Sequence, residues 1–267
     1  MGRTWMKILT VGLTAAGLFG VAGLVVARTV PAGNPIDAHP APVLFDDARI
    51  APLGAQLAAE KPKADRLFRA WAVQHPGRDD PAFTRFAVAQ LPEPPDAATQ
   101  AGELTELRLL ASRRTKEGKQ AATWLEVYGK TDVWTKYVTD ANGPGPGSNP
   151  SGLSELKQTT RLAKTLVASA QARFSRPGPK VVDPSLKPGS NRPDKLSYPS
   201  GHASYVFAEL TLLSAQQPRL RSEFVRTADQ VAYSRLYAAG HYRSDLVVGA
   251  LLGDLIGDYV VSLRPAP

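Results

Sequence analysis

The 23 prolines of this chain decide where helices can form. A proline inside a helix removes a hydrogen bond and clashes with the preceding turn. Most of the prolines gather in five stretches, at 31–52, 76–81, 92–95, 144–150 and 177–199. The windows between them are long, and their apolar residues recur at spacings of three and four, as a helix requires. Leu67, Phe68, Trp71 and Ala72 make one such face, and Phe83, Phe86, Ala87 and Leu91 another. Helices are expected at about 63–75, 80–91, 97–118 and 119–139, the last with a break near Gly129 or Thr131. Further helices are expected at about 151–175, 201–216, 219–239 and 243–263. Alternating strand patterns are nearly absent and no repeat is found, so the expected fold class is all-α.

Four segments fall outside this pattern. Arg3 and Lys7 precede Ile8–Ala27, 20 residues without a charge, and Arg28 follows. This is an export signal, with Val25-x-Ala27 as the cleavage site, or a single membrane anchor of residues 1–28. Either way the expected location is periplasmic or secreted, with membrane contact only through residues 8–27. Residues 29–60 read as a Pro-rich arm with one short helix near 53–60, and 61–267 as a single helical domain whose chemistry lies in 151–263. Asn142-Gly-Pro-Gly-Pro-Gly-Ser-Asn-Pro150 is a loop, either a hinge or the rim of a site. The 176–199 stretch is a second long loop.

The chain has no cysteine, which excludes disulfides, thiolate nucleophiles and Cys-based metal sites. Its net charge of +8, or +6 once Arg3 and Lys7 are cleaved off, suits anionic ligands or simply a basic surface. His39 reads as a solvated loop residue. His75, in a last helical turn, reads as a cap.

Three segments carry the polar groups of interest: Arg173-Phe-Ser-Arg176-Pro177, then Tyr198-Pro-Ser200-Gly201-His202, then Ser234-Arg235 followed by Gly240-His241 and Asp245. Ser200 and Gly201 open a helix, whose N–H groups and dipole favour an anion. Arg176 and Arg235 can each fork onto two phosphoryl oxygens. Gly240 is expected to break its helix and expose His241. Asp245, four residues on, can hold one nitrogen of that imidazole and leave the other to attack. His202 can serve as acid towards a leaving oxygen. These groups suffice for phosphoryl transfer without a metal, with best activity in mild acid.

Arg-Pro, then Pro-Ser-Gly-His, then Ser-Arg-x5-His-x3-Asp resembles the type 2 phosphatidic acid phosphatase superfamily. That group spans class A bacterial acid phosphatases, integral lipid phosphatases and vanadium haloperoxidases. The order of the motifs fits, as do the 31 residues between His202 and Ser234. The resemblance implies a helical bundle of the acid phosphatase and haloperoxidase type. It implies His241 as the nucleophile that forms a phosphohistidine, Asp245 as its orienter and His202 as acid and then base. It implies Arg176, Arg235, Ser200 and the Gly201 N–H as ligands of the phosphoryl oxygens. The implied substrate is a small phosphate ester or a lipid phosphate reached from the surface, with no nucleic acid and no resident cofactor.

One position departs from the family. Its first motif has a lysine seven residues before the arginine of Arg-Pro, and here Ser169 stands there. Lys164 lies too far upstream. Arg173 shares a helix face with Ser169 and is the candidate replacement, or else one phosphate contact is missing. Two other functions stay open at this point. A vanadate-dependent haloperoxidase would use the same pocket with vanadate as cofactor and His241 as its ligand. A catalytically weakened member would only bind phosphate.

Overall fold

Helices form where the prolines permit them. The computed structural model describes residues 36–139, 150–186 and 195–264. The apolar run 8–27, the 142–149 part of the glycine-rich loop, and Pro188 and Pro193 of the second loop lie outside the described residues.

In chain order the helices are α1 (Asp47–Ala58), α2 (Lys61–Ala72), α3 (Asp80–Ala89), α4 (Ala97–Ser112) and α5 (Lys116–Tyr128). A 3-10 turn at Asp132–Trp134 leads to α6 (Lys136–Thr139). Then come α7 (Pro150–Phe174), the single turn α8 (Pro179–Val182), α9 (Gly201–Gln216), α10 (Arg221–Tyr237) and α11 (Arg243–Ser262). The described residues contain no strand, only an isolated bridge between Pro177 and Leu196. The fold is all-α.

Two boundaries differ from expectation. The region expected to be mostly an extended arm holds a full helix, α1, with Pro52 inside it. An interior proline costs roughly 3 kcal/mol. Burial of Ile50, Leu53 and Leu57, and the Asp46 carboxylate accepting from Ala48 N at 3.0 Å, offset that cost. The expected long helix at 97–118 stops at Ser112, and α5 restarts after Thr115, whose hydroxyl accepts from Gly118 N at 3.0 Å. The break near Gly129 is present: α5 ends there before the 3-10 turn.

Helices α9 and α11 lie at the centre, apolar on nearly every face, as buried helices are. A core containing Trp134, Phe207, Phe224 and Leu236 sits on one side. A second, with Trp71, Phe83, Leu166, Leu252 and Tyr259, sits on the other. The spacing of Gly249, Gly253 and Gly257 lets α11 approach α9 closely. A Cβ on Gly253 would stand 2.6 Å from Ser204 O and 2.7 Å from Phe207 Cβ. One on Gly257 would run into Thr211. No described helix is long and apolar enough to cross a membrane. His75 caps as expected: its Nδ1 lies 3.2 Å from Trp71 O, and its ring stacks on Trp71 at 3.5 Å.

Two buried carboxyls tie the central helices to their neighbours. Glu209 of α9 accepts from Thr160 of α7 (2.6 Å), Trp134 Nε1 (2.8 Å) and Thr131 (3.1 Å). Asp254 of α11 accepts from Thr211 of α9 at 2.8 Å. Burial pushes both acids up to about 7. In the unfolded chain such groups titrate near ~4. The folded state therefore holds more protons between these values, and stability rises as pH falls through that window. Thermal unfolding should occur at a higher temperature near pH ~5 than near pH ~7.5, and Glu209→Gln should flatten that slope. A slope unchanged in the variant would contradict the assignment.

Candidate active site

The N-terminus of α9 and the α10–α11 corner build the site. Ser200 caps α9, and its own N–H donates to the backbone carbonyl of Asp245 at 2.9 Å. That bond fastens the start of α9 to the first turn of α11. The N–H groups of the first α9 turn have no partners within the helix, so this end attracts negative charge. The Tyr198–Pro199 peptide just before it is cis.

His241 stands between α10 and α11 and is buried. The residue that turns the chain here is Ala239 rather than Gly240: Ala239 takes the left-handed conformation at φ 55°. The turn is held by Ala239 N donating to Leu236 O (2.9 Å) and Gly240 N to Arg235 O (3.0 Å). Burial of Ala239 helps offset the roughly 1–2 kcal/mol that this conformation costs a side chain.

The two ring nitrogens of His241 can be told apart. Nδ1 lies 3.0 Å from Ser197 O and 3.5 Å from Asp245 Oδ2. A carbonyl oxygen only accepts, so Nδ1 is the nitrogen that carries the proton in the neutral ring. Asp245 thus lies beside Nδ1, and the Ser197 carbonyl, nearer still, is a partner the motif did not reveal.

His202, one residue into α9, lies 3.1 Å through Nε2 from Glu126 O of α5. By the same logic Nε2 carries its proton and Nδ1 is the nitrogen open to exchange. Its pKa is held well below the usual histidine value, first by burial and then by the charges of Arg235, Lys130 and His241. The buried Arg235 donates to Ala122 O of α5 (2.6 Å) and Ser234 Oγ (3.0 Å), with Glu126 at 3.7 Å. Helix α5 thus forms a wall of the site through Ala122 and Glu126, with Lys130 just past its end. No signal in the sequence marks those residues, which lie far upstream of both motif histidines.

Arg176 and Arg173 pair with protein groups in this structure. Arg176 is buried, and its donors reach Asp245 Oδ1 and Ser244 Oγ (2.7 Å each), Glu103 Oε2 (2.8 Å) and Gln100 Oε1 (3.2 Å). Its guanidinium lies 4.0 Å above the Tyr242 ring. Two carboxylates outcompete water for this buried cation, so in this structure it faces protein groups and not open solvent. Arg173 donates to Val88 O of α3 (2.6 Å) and to Glu93 (2.8 Å). It ties α7 to the end of α3, and its guanidinium packs on Phe174. Ser169, where the family has lysine, is exposed on α7.

The all-α core gathers two histidines and a buried arginine at a helix N-terminus, an arrangement that can attract a small anion. Residues 159–266 match the profile of the PAP2 superfamily. The match spans His202, Arg235, His241 and Asp245. The crystal structure titled the first transmembrane PAP2 type phosphatidylglycerolphosphate phosphatase from Bacillus subtilis is similar at a TM-score of 0.47 and 16% identity. That similarity covers 67% of this chain and 91% of that one. No curated protein matches the chain.

Proposed function

We propose that this protein is an exported phosphatase that hydrolyses phosphate monoesters through a phosphohistidine on His241, without a metal. The observation that carries the reading is the tautomer of His241. Ser197 O and Asp245 hold Nδ1, which leaves Nε2 as the attacking nitrogen beside His202 and Arg235. The match of residues 159–266 to the PAP2 superfamily supports a phosphatase-type function. The apolar segment 8–27 and its basic flank support export.

The chemistry follows from the groups present. Nε2 of His241 attacks phosphorus, the bond to the ester oxygen breaks, and that oxygen takes a proton from His202. His202, now neutral, takes a proton from water, and the hydroxide attacks the phosphohistidine. The P–N bond breaks and inorganic phosphate leaves. Ser200, the Gly201 N–H and Arg235 stabilise the equatorial oxygens, where charge must be met in the transition state. The negative charge of a bound ester opposes the depression of His202 and helps it hold its proton.

A screen of phosphate monoesters and a lipid phosphate, from about pH 4 to 8 and with EDTA present, tests the reading. Turnover that survives EDTA and is inhibited by vanadate supports it. Halide oxidation that appears on adding vanadate would replace it with the haloperoxidase reading. Tight phosphate binding with no turnover on any ester would reduce the protein to a binder.

A further inference from the structure

We infer that Lys130, just past the end of α5, supplies a third cation to the phosphoryl pocket, beside Arg176 and Arg235. This rests on the phosphatase reading above. A phosphate monoester carries close to two negative charges near neutral pH, so each cation in the pocket counts. Where the family carries a lysine, this chain has Ser169, exposed on α7.

The backbone of α5 places Lys130 at the site. The helix ends at Tyr128, and the carbonyls of its last turn have no partner within it. One of them, Glu126 O, lies 3.1 Å from His202 Nε2. In an unbroken helix that carbonyl would accept from the N–H of residue 130. The His202 ring therefore stands at the point where Lys130 leaves the helix. One turn before Glu126, Ala122 O accepts from Arg235 Nη2 at 2.6 Å. Residues 122, 126 and 130 recur at a spacing of four, so one face of α5 meets both His202 and Arg235.

The chain is held on both sides of Lys130. Gly129 passes close to α10, where an added Cβ would stand 3.0 Å from Val231 Cγ2. Thr131 Oγ1 donates to Glu209 Oε1 of α9 at 3.1 Å and lies 2.9 Å from Thr160 Oγ1 of α7. The neighbours of Lys130 are thus pinned to the helices that carry Arg235 and His202. Lys130 is half-buried, and a lysine ammonium offers three donors on a flexible stem. Its charge reaches the His202 ring, where burial, Arg235 and Lys130 together disfavour the proton. Two cations beside a general acid work against it until an anion binds next to them, and a phosphoryl group is that anion.

Lys130→Met keeps the stem and removes the charge. Titrated on the full chain, inorganic phosphate should bind about ten- to a hundredfold more weakly than to the parent, the scale of one charge-assisted contact. kcat/KM with p-nitrophenyl phosphate should fall by at least that factor, because the same oxygens carry charge in the transition state. The charged groups facing His202 are Arg235 of α10, with the Glu126 carboxylate 3.7 Å from it, then Lys130 and His241. Without Lys130 the imidazolium is favoured, so the kcat/KM limb that falls with rising pH should move to higher pH.

Phosphate affinity within about twofold of the parent would overturn the inference, even with a shifted pH limb, and would leave Lys130 as a charge capping the end of α5. So would a roughly tenfold loss of phosphate affinity in Arg173→Ala with none in Lys130→Met, which would give the role to Arg173. A parent that binds no phosphate would overturn it too. If Lys130→Met does not fold, Lys130→Gln decides with the same readouts. If the parent binds phosphate but turns over no ester, the phosphatase reading has failed, and the phosphate titration still decides the role of Lys130.

Discussion

His241→Ala should lose essentially all turnover, with kcat down by about 10^4-fold or more, as when other covalent enzymes lose their nucleophile. The site offers no substitute for Nε2. His202 is directed through Nε2 to the Glu126 carbonyl, and cysteine is absent from the chain. The fold should survive. The turn before His241 is closed by backbone bonds from Ala239 and Gly240, which the substitution leaves in place. Inorganic phosphate should still bind to His241→Ala, because Arg235 and the α9 N-terminus remain. Steady-state kinetics with a phosphate-binding titration checks all three statements. A variant that keeps its rate removes His241 from the chemistry.

His202→Ala should be the next most damaging change. Loss of a general acid typically costs about 10²- to 10^4-fold in kcat. The deficit should shrink with esters whose leaving group needs no proton, such as p-nitrophenyl phosphate, and be largest with an alkyl phosphate. The parent pH profile carries the same assignment. His202 must be protonated to act as acid, and burial with Arg235 and Lys130 holds its pKa below the ordinary ~6.5. The kcat/KM limb that falls with rising pH should therefore lie on the acid side of ~6.5 in the parent and vanish in His202→Ala. Equal loss on both substrates would point to a structural role for His202.

The sequence carried much of this because helix signals and motif spacing are local. Proline clusters bounded the helices, and Gly249, Gly253 and Gly257 announced the close packing of α11. His202, Arg235, His241 and Asp245 were legible as a set because two short motifs fix them within single helical turns. Residues that enter from distant segments were not. Ser197 O, Glu126 O and Lys130 bear on the histidines through contacts that no local pattern encodes. The protein partners of the two arginines of the first motif are likewise not local. Glu93, Glu103 and Asp245 are carboxylates brought near them only by the fold. The same limit applies to α1, where burial of Ile50, Leu53 and Leu57 overrides the local veto of Pro52.

The covalent intermediate is the most direct test of the account. The enzyme would be mixed with an excess of ester, quenched within one turnover and digested under alkaline conditions, where a phosphohistidine survives. Its peptides would then be mapped by mass spectrometry. The account predicts one phosphoryl group on His241, with more of it in His202→Ala, where activation of water is slowed, and none in His241→Ala. Turnover without any phosphoenzyme, or a phosphoryl group on His202 or a serine, would contradict it.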